Sequence, residues 1–431
     1  MRLLSVILII LLSGCSSRQD EVALVKPDCD LQYSRYQATV TGYCQEPAAD
    51  LPQALKVINK RITIKPLDEI PAVFWFNKKM KYSLVKQETS APLIFIIAGT
   101  GASFESAKMK SLQKSFYQLG YHVISLSSPT FANYIVNSAN STYMPGDLTH
   151  DAEDLYHVMK LVWAQVQAQD EVEASSFSIT GYSLGGAHSA FIALLDEGQQ
   201  AFDFEKVLLI NPPVSLYNSV TILDQYFDLR NNRQAAVAMF DQIFERFSNG
   251  YALQKSSNFD QGSIFSLFKN ANLTEAELKL LIGASFRMSS SDMIFALDVS
   301  FNAGAITYKN HIIDKFESLT HSMHRASDIT FGDYFDGAML PRAQRLDSAT
   351  TKADLIHRYS LHAIEGYLKS SDKVYLVTNQ DDIILQAGEL EYLQSIFAER
   401  AKIFPRGGHC GNIDRLSFFE YLHAQFQGGE N

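Results

Sequence analysis

Residues 176–187 read Ser-Phe-Ser-Ile-Thr-Gly-Tyr-Ser-Leu-Gly-Gly-Ala, and this stretch limits the possible folds more than any other. An alternating, strand-like run ends at Thr180. Gly181-Tyr182-Ser183-Leu184-Gly185 follows, and then small and apolar residues recur at helical spacing: Ala187, Ala190, Phe191 and Leu194. Strand, sharp turn and helix together force the central residue into a strained backbone conformation. Glycines two residues before and after it leave room for strand and helix to approach. Ser183 is therefore the candidate nucleophile, the plainer alternative being a glycine-rich strand-to-helix turn.

The flanking sequence supplies a sheet for that turn. Arg61–Ile64, Ala72–Phe76 and Tyr82–Val85 read as early strands, expected to pair antiparallel. Pro92–Ala98 is a continuous apolar run, the pattern of a strand buried on both faces of a parallel sheet. A helix is expected over 104–118, a strand over Tyr121–Leu126, a loop over 129–146 and a long helix over Asp147–Gln169. Lys206–Ile210 is another buried strand, closed by Asn211-Pro212-Pro213. Alternating strands and helices argue for a parallel α/β sheet. From 214 to 351 no strand is evident. Helices are expected at Arg233–Phe247, Thr274–Phe286 and Ser291–Phe301, the second opened by a capping box at Thr274 and Glu277. The alternation resumes with a helix at 352–369, strand Lys373–Thr378, a helix at 387–398, strand Ala401–Phe404 and a helix at 412–426.

The chain of 431 residues is 46% hydrophobic and 19% charged, enough to bury a large core. A net charge of −10 and the lack of any basic block argue against nucleic acid as a partner. Met1-Arg2 and the apolar run Leu3–Leu12 form a targeting segment too short to span a bilayer. No later stretch reads as long enough for a transmembrane helix. Leu12-Ser13-Gly14-Cys15 resembles a bacterial lipobox, which implies cleavage before Cys15, lipidation of that residue and a membrane anchor. Ser16 at the next position resembles outer-membrane sorting, facing the periplasm. The alternative is an ordinary secretory signal. In an oxidising compartment Cys29 and Cys44 could form a disulfide, leaving Cys410 over; the alternative is three free thiols.

A serine nucleophile needs a base, a group to orient the base, and donors for the oxyanion. In open α/β sheets these sit past the carboxyl ends of strands. His409, in Arg406-Gly-Gly-His-Cys-Gly411 after the last strand, is the candidate base; its rival, His423, falls inside a helix. The acid lies in Asn379-Gln-Asp381-Asp382, with Asp381 preferred over its neighbour. The expected oxyanion donors are the N–H of Leu184 and that of Thr100, in the turn Gly99-Thr-Gly101. Neither His321 with His324 nor His150 with His157 has a third ligand in view, so no metal is expected. Cys410 reads as a small residue filling space.

The order Ser183, Asp381, His409 resembles that of the α/β-hydrolase superfamily, as do the elbow, the Asp-x-Ile-Ile segment and the Gly-Gly-His loop. The resemblance implies a mostly parallel central sheet flanked by helices, with a long helical cap insertion. Its core would span 61–213 and 352–431, its cap 214–351, preceded by a tether and N-terminal segment at 15–60 and a signal peptide at 1–14. It implies a serine esterase that needs no cofactor and takes a small ester or amide, with a peptidase or a non-catalytic binding lipoprotein as the rival readings. The aromatic insertion favours an apolar acyl group. Ala98-Gly99 departs from the His-Gly that many members carry.

Overall fold

The computed structural model describes residues 33–138, 144–228, 233–254, 265, 268, 272–301, 306 and 312–427. Cys15 and Cys29 lie outside these residues. The chain opens with a short helix, α1 (Arg35–Thr41), capped by Ser34, whose Oγ accepts from the N–H of Gln37 at 3.2 Å. Strands β1 (Ile58–Ile62), β2 (Met80–Val85) and β3 (Ala91–Ile97) follow, then α2 (Ala107–Gln118), β4 (His122–Leu126), α3 (Ala132–Asn137) and α4 (Leu148–Asp170). Next come β5 (Ala174–Tyr182), α5 (Leu184–Gln199) and β6 (Lys206–Ile210). Beyond them are α6 (Leu216–Tyr226), α7 (Arg233–Gln254) and α8 (Glu275–Phe301). The last strands are β7 (Val374–Asn379) and β8 (Ala401–Phe404), and the helix Leu416–Gln427 ends the described chain.

The eight strands form one sheet in the order β1-β2-β4-β3-β5-β6-β7-β8. The pairings of β1 with β2 and of β2 with β4 are antiparallel; those from β4 to β8 are parallel. Because side chains alternate across a strand, β3 feeds two cores at once. Leu93, Phe95 and Ile97 pack with Val158 and Val162 of α4 and Ala187 and Ala190 of α5. Ile94 and Ile96 pack on the other face with Leu112 and Phe116 of α2 and Phe418 and Leu422 of the last helix. Both faces are covered, which is why the strand reads as an unbroken apolar run. The expected α/β-hydrolase architecture, with its mostly parallel sheet and long helical insertion, stands.

Several local expectations are corrected. Ala72–Phe76 is not a strand. Ala72–Phe74 is a short 3-10 turn behind Pro71, with Val73 and Phe74 buried and Trp75 and Phe76 facing out. The alternation there is that of a turn dipping into the core. The loop expected over 129–146 contains α3, all six residues of which are buried. Thr274–Phe286 and Ser291–Phe301 are one helix. The serines between them do not break it, because Ser290 and Ser291 donate to the carbonyl of Arg287 within the helix. Its capping box forms: Glu277 N–H donates to Thr274 Oγ1 and the Thr274 N–H donates to Glu277 Oε2. By length and composition this 27-residue helix could cross a membrane, contrary to the sequence reading, yet 83% of its apolar window is buried in the protein. A core helix has the same signature.

The expected Cys29–Cys44 disulfide is not found among the described residues. Among the described residues no two sulfurs lie within 4.5 Å of each other, and Cys29 lies outside them. A short spacing shows that a loop can close. Whether the geometry a disulfide needs is met depends on where the rest of the fold places both cysteines. Cys44 packs beside Tyr33, Ala38 and Tyr43.

Candidate active site

Ser183 stands between the end of β5 and the start of α5 with φ 55° and ψ −129°, a positive φ that costs a non-glycine residue about 1–3 kcal/mol. Packing holds it there. Its N–H donates to the carbonyl of Ile210 at the end of β6, at 2.8 Å, and its own carbonyl accepts from Gly186 at 2.9 Å. A Cβ on Gly185 would lie 2.2 Å from the carbonyl oxygen of Ile97, so only glycine lets α5 start this close to β3.

His409 reaches the serine from the loop after β8. Its Nε2 lies 2.9 Å from Ser183 Oγ. Its Nδ1 lies 3.0 Å and 3.2 Å from the two carboxylate oxygens of Asp382. Asp381, expected against the ring, is not there. It turns away and accepts the N–H of Gly408 at 2.8 Å. The turn after β7 decides between the two: Asp382 N–H donates back to the carbonyl of Asn379, which aims the second aspartate under the imidazole.

The Asp382 side chain is fully buried and three groups satisfy it. Besides the ring, Ile384 N–H donates to Oδ1 at 3.1 Å and Asn211 Nδ2 donates to Oδ2 at 2.8 Å. Asn211, read from the sequence only as the end of β6, thus helps to fix the carboxylate. Two opposed influences act on His409, whose side chain is 15% exposed. Burial, the largest, lowers its pKa; Cys410 and Asp382 raise it and prevail, pushing it up to about 10.

Leu184 opens α5, so its N–H is among those at a helix start with no intrahelical partner. Thr100 walls the same cavity as Ser183 and His409. The neighbouring Gly101 N–H is taken by Thr130 Oγ1 at 2.8 Å, and among the described residues no hydrogen bond occupies that of Thr100. The cavity at Ser183 has a volume of about 60 Å³. Ile282 and Phe286 of α8, together with Leu223, Phe265 and Ile383, form its apolar walls. Of the aromatic insertion residues singled out in the sequence, Phe265 and Phe286 line it, while Phe268 packs in a core of α7 and α8.

One wall was not legible in the sequence. Thr39 of α1 lines the cavity, and its Oγ1 accepts the N–H of His409 at 2.9 Å. The other histidines weighed in the sequence lie elsewhere: His423, His321, His324 and His157 are exposed, and His150 is paired with Asp147 at 2.9 Å. Cys410 is buried beside Ile413 and Phe418. Among the described residues no group of three or more His, Cys, Asp or Glu side chains converges as a metal site would require.

No protein-family model matches the chain, and no curated protein does. Solved structures resemble it at low identity. An esterase from Pyrococcus furiosus is 9% identical over 88% of this chain and 99% of its own, with a TM-score of 0.43. An acylaminoacyl peptidase from Pyrococcus horikoshii is 11% identical over 89% of this chain and 43% of its own, with a TM-score of 0.44. A membrane phospholipase A is 15% identical over 86% of each chain, with a TM-score of 0.40. The sheet order, the elbow after β5 and the helical insertion between β6 and β7 give this chain the α/β-hydrolase fold.

Proposed function

We propose that this chain is a serine hydrolase that cleaves a small carboxylic ester through Ser183, His409 and Asp382. The observation that carries the reading is the unbroken line from Ser183 Oγ through His409 Nε2 and Nδ1 to a buried carboxylate. In this reading His409 takes the hydroxyl proton as Oγ attacks the carbonyl carbon. The N–H groups of Leu184 and Thr100 receive the oxyanion. Collapse of the tetrahedral intermediate expels the alcohol, which takes the proton from His409. Water, deprotonated by the same imidazole, then hydrolyses the acyl-enzyme and frees Ser183. Asp382 keeps the proton on Nδ1 and stabilises the imidazolium. The mechanism needs no cofactor.

Ester hydrolysis is favoured over amide hydrolysis because an alkoxide makes the smaller demand on leaving-group protonation. The apolar walls around Ser183 suit an apolar acyl group. The lipobox-like sequence before Cys15 supports a lipid anchor in a bacterial envelope, and loss of metabolic palmitate labelling in Cys15→Ala is its test. A fluorophosphonate probe tests the enzyme reading. Labelling of the wild type that vanishes in Ser183→Ala is expected, with kcat falling about 10⁴- to 10⁶-fold. A folded wild type that takes no label would instead be a binding protein on a hydrolase scaffold.

A further inference from the structure

The loop that carries His409 cannot hold itself. Gly407, Gly408 and Cys410 all have positive φ, so local conformational preference does little to fix the ring. Two outside elements hold it. From the end of β7, Asp381 accepts the Gly408 N–H and Asn379 donates to the Gly408 carbonyl at 2.7 Å. From the opposite side comes α1, about 370 residues away in sequence by its hydrogen bond to His409. A Cβ on Gly408 would lie 2.2 Å from the carbonyl oxygen of Arg35, and one on Gly411 2.2 Å from that of Ala38. Tyr43 N–H donates to the Gly411 carbonyl at 2.7 Å. The helix also reaches the cap: Tyr36 meets Tyr226 of α6 edge-on, and Lys279 of α8 lies over its ring.

Thr39 stands at the point of contact. Its hydroxyl donates to the Arg35 carbonyl at 2.8 Å and accepts from His409 N–H at 2.9 Å. Both roles are filled, so it has no proton to offer a substrate. We infer that Thr39 is a positioning residue, through which α1 sets the placement of His409 between Ser183 and Asp382. This rests on the serine-hydrolase reading for its effect on turnover, but not for its effect on the ring. The titratable and charged groups around that ring are Asp382 beneath it, Cys410 next to it in sequence, Asp381 one residue back from Asp382, and Arg35 of α1, which acts on Asp381.

The experiment compares Thr39→Val, which keeps the shape and loses the acceptor, with Thr39→Ser, which keeps the acceptor. Each is measured by p-nitrophenyl acetate turnover and by NMR titration of the His409 ring. Thr39→Val should lower kcat on the order of tenfold to a hundredfold with KM little changed, because a buried N–H loses its partner and the base drifts. Its His409 titration should move down toward the ordinary histidine range as contact with Asp382 loosens. Thr39→Ser should keep both. Should Thr39→Val not fold, Thr39→Cys, of similar size with a weak acceptor, should fall between the two. Wild-type turnover and titration in Thr39→Val would overturn the inference, and so would equal loss in Thr39→Ser. A wild type inert to fluorophosphonate would sink the hydrolase reading alone, since the titration still reports on Thr39.

Discussion

Two glycines in this molecule face the same obstacle. A Cβ on Gly185 would come within 2.2 Å of one backbone carbonyl, that of Ile97, and a Cβ on Gly408 within 2.2 Å of another, that of Arg35. The first contact joins α5 to β3 in the middle of the sheet. The second joins the histidine loop to a short helix from the far end of the chain. The nucleophile is thus held by its sequence neighbours and by the core, and the base by a distant strap. One half of the site is local and rigid by construction, while the other depends on a docked element.

The sharpest way to break this comparison is at the acid. Asp382→Asn should drop kcat about 10⁴-fold, because the amide favours the wrong imidazole tautomer. Asp381→Ala removes the acceptor of the Gly408 N–H, not of the ring, and should cost on the order of tenfold. Steady-state kinetics on both variants would decide, and a reversed ranking would mean that the turn after β7 rearranges during turnover.

The same contrast explains what could be read from the sequence. The elbow was legible because everything that shapes it lies within residues 176–187: the strand, the two glycines and the small residues of α5. The sheet was legible because strands buried on both faces write themselves as apolar runs, as in Leu93–Ile97. Asp382 was not distinguishable from Asp381, because adjacent residues share a composition and differ only in how the turn aims them. Thr39 and Asn211 left no signal at all. A threonine in a polar segment and an asparagine before two prolines acquire their roles only when distant segments dock.

The two glycines supply the next test. Gly185→Ala presses a methyl into backbone that cannot yield, and should destabilise the fold by about 3 kcal/mol. Urea unfolding would show this as a lower midpoint. Gly408→Ala should barely move the global transition, because the strap can peel away, while turnover falls. Equal losses of stability would mean that α1 is part of the core and not a strap.

The pH profile separates the ring from its surroundings. His409 must be neutral to act as a base, and its pKa is raised above 6.5, so kcat/KM should rise along an acid limb whose midpoint lies above pH 6.5. In Asp382→Asn the residual activity should show that limb displaced to lower pH, since one of the two influences that raise the ring's pKa is then gone. The linked effect on stability has the opposite sense. The folded state holds this proton more tightly than the unfolded one, so the contribution is full below pH 6.5 and fades as pH rises through the folded value.

The smallest expected effect concerns which acyl groups fit. A cavity of about 60 Å³ beside Ser183 holds about two waters at roughly 30 Å³ each, hence an acyl group of only a few heavy atoms. Acetate and butyrate esters of p-nitrophenol should therefore be turned over faster than the octanoate. Phe286 is the wall to move: it comes from α8 and is itself buried, so Phe286→Ala enlarges the cavity without touching the triad. That variant should shift the preference toward longer chains by about tenfold, the scale of a methylene or two in an apolar pocket. An octanoate preference in the wild type would show that α8 lifts away from Ser183 during turnover. The cap would then belong with the strap, as a docked element, and not with the core.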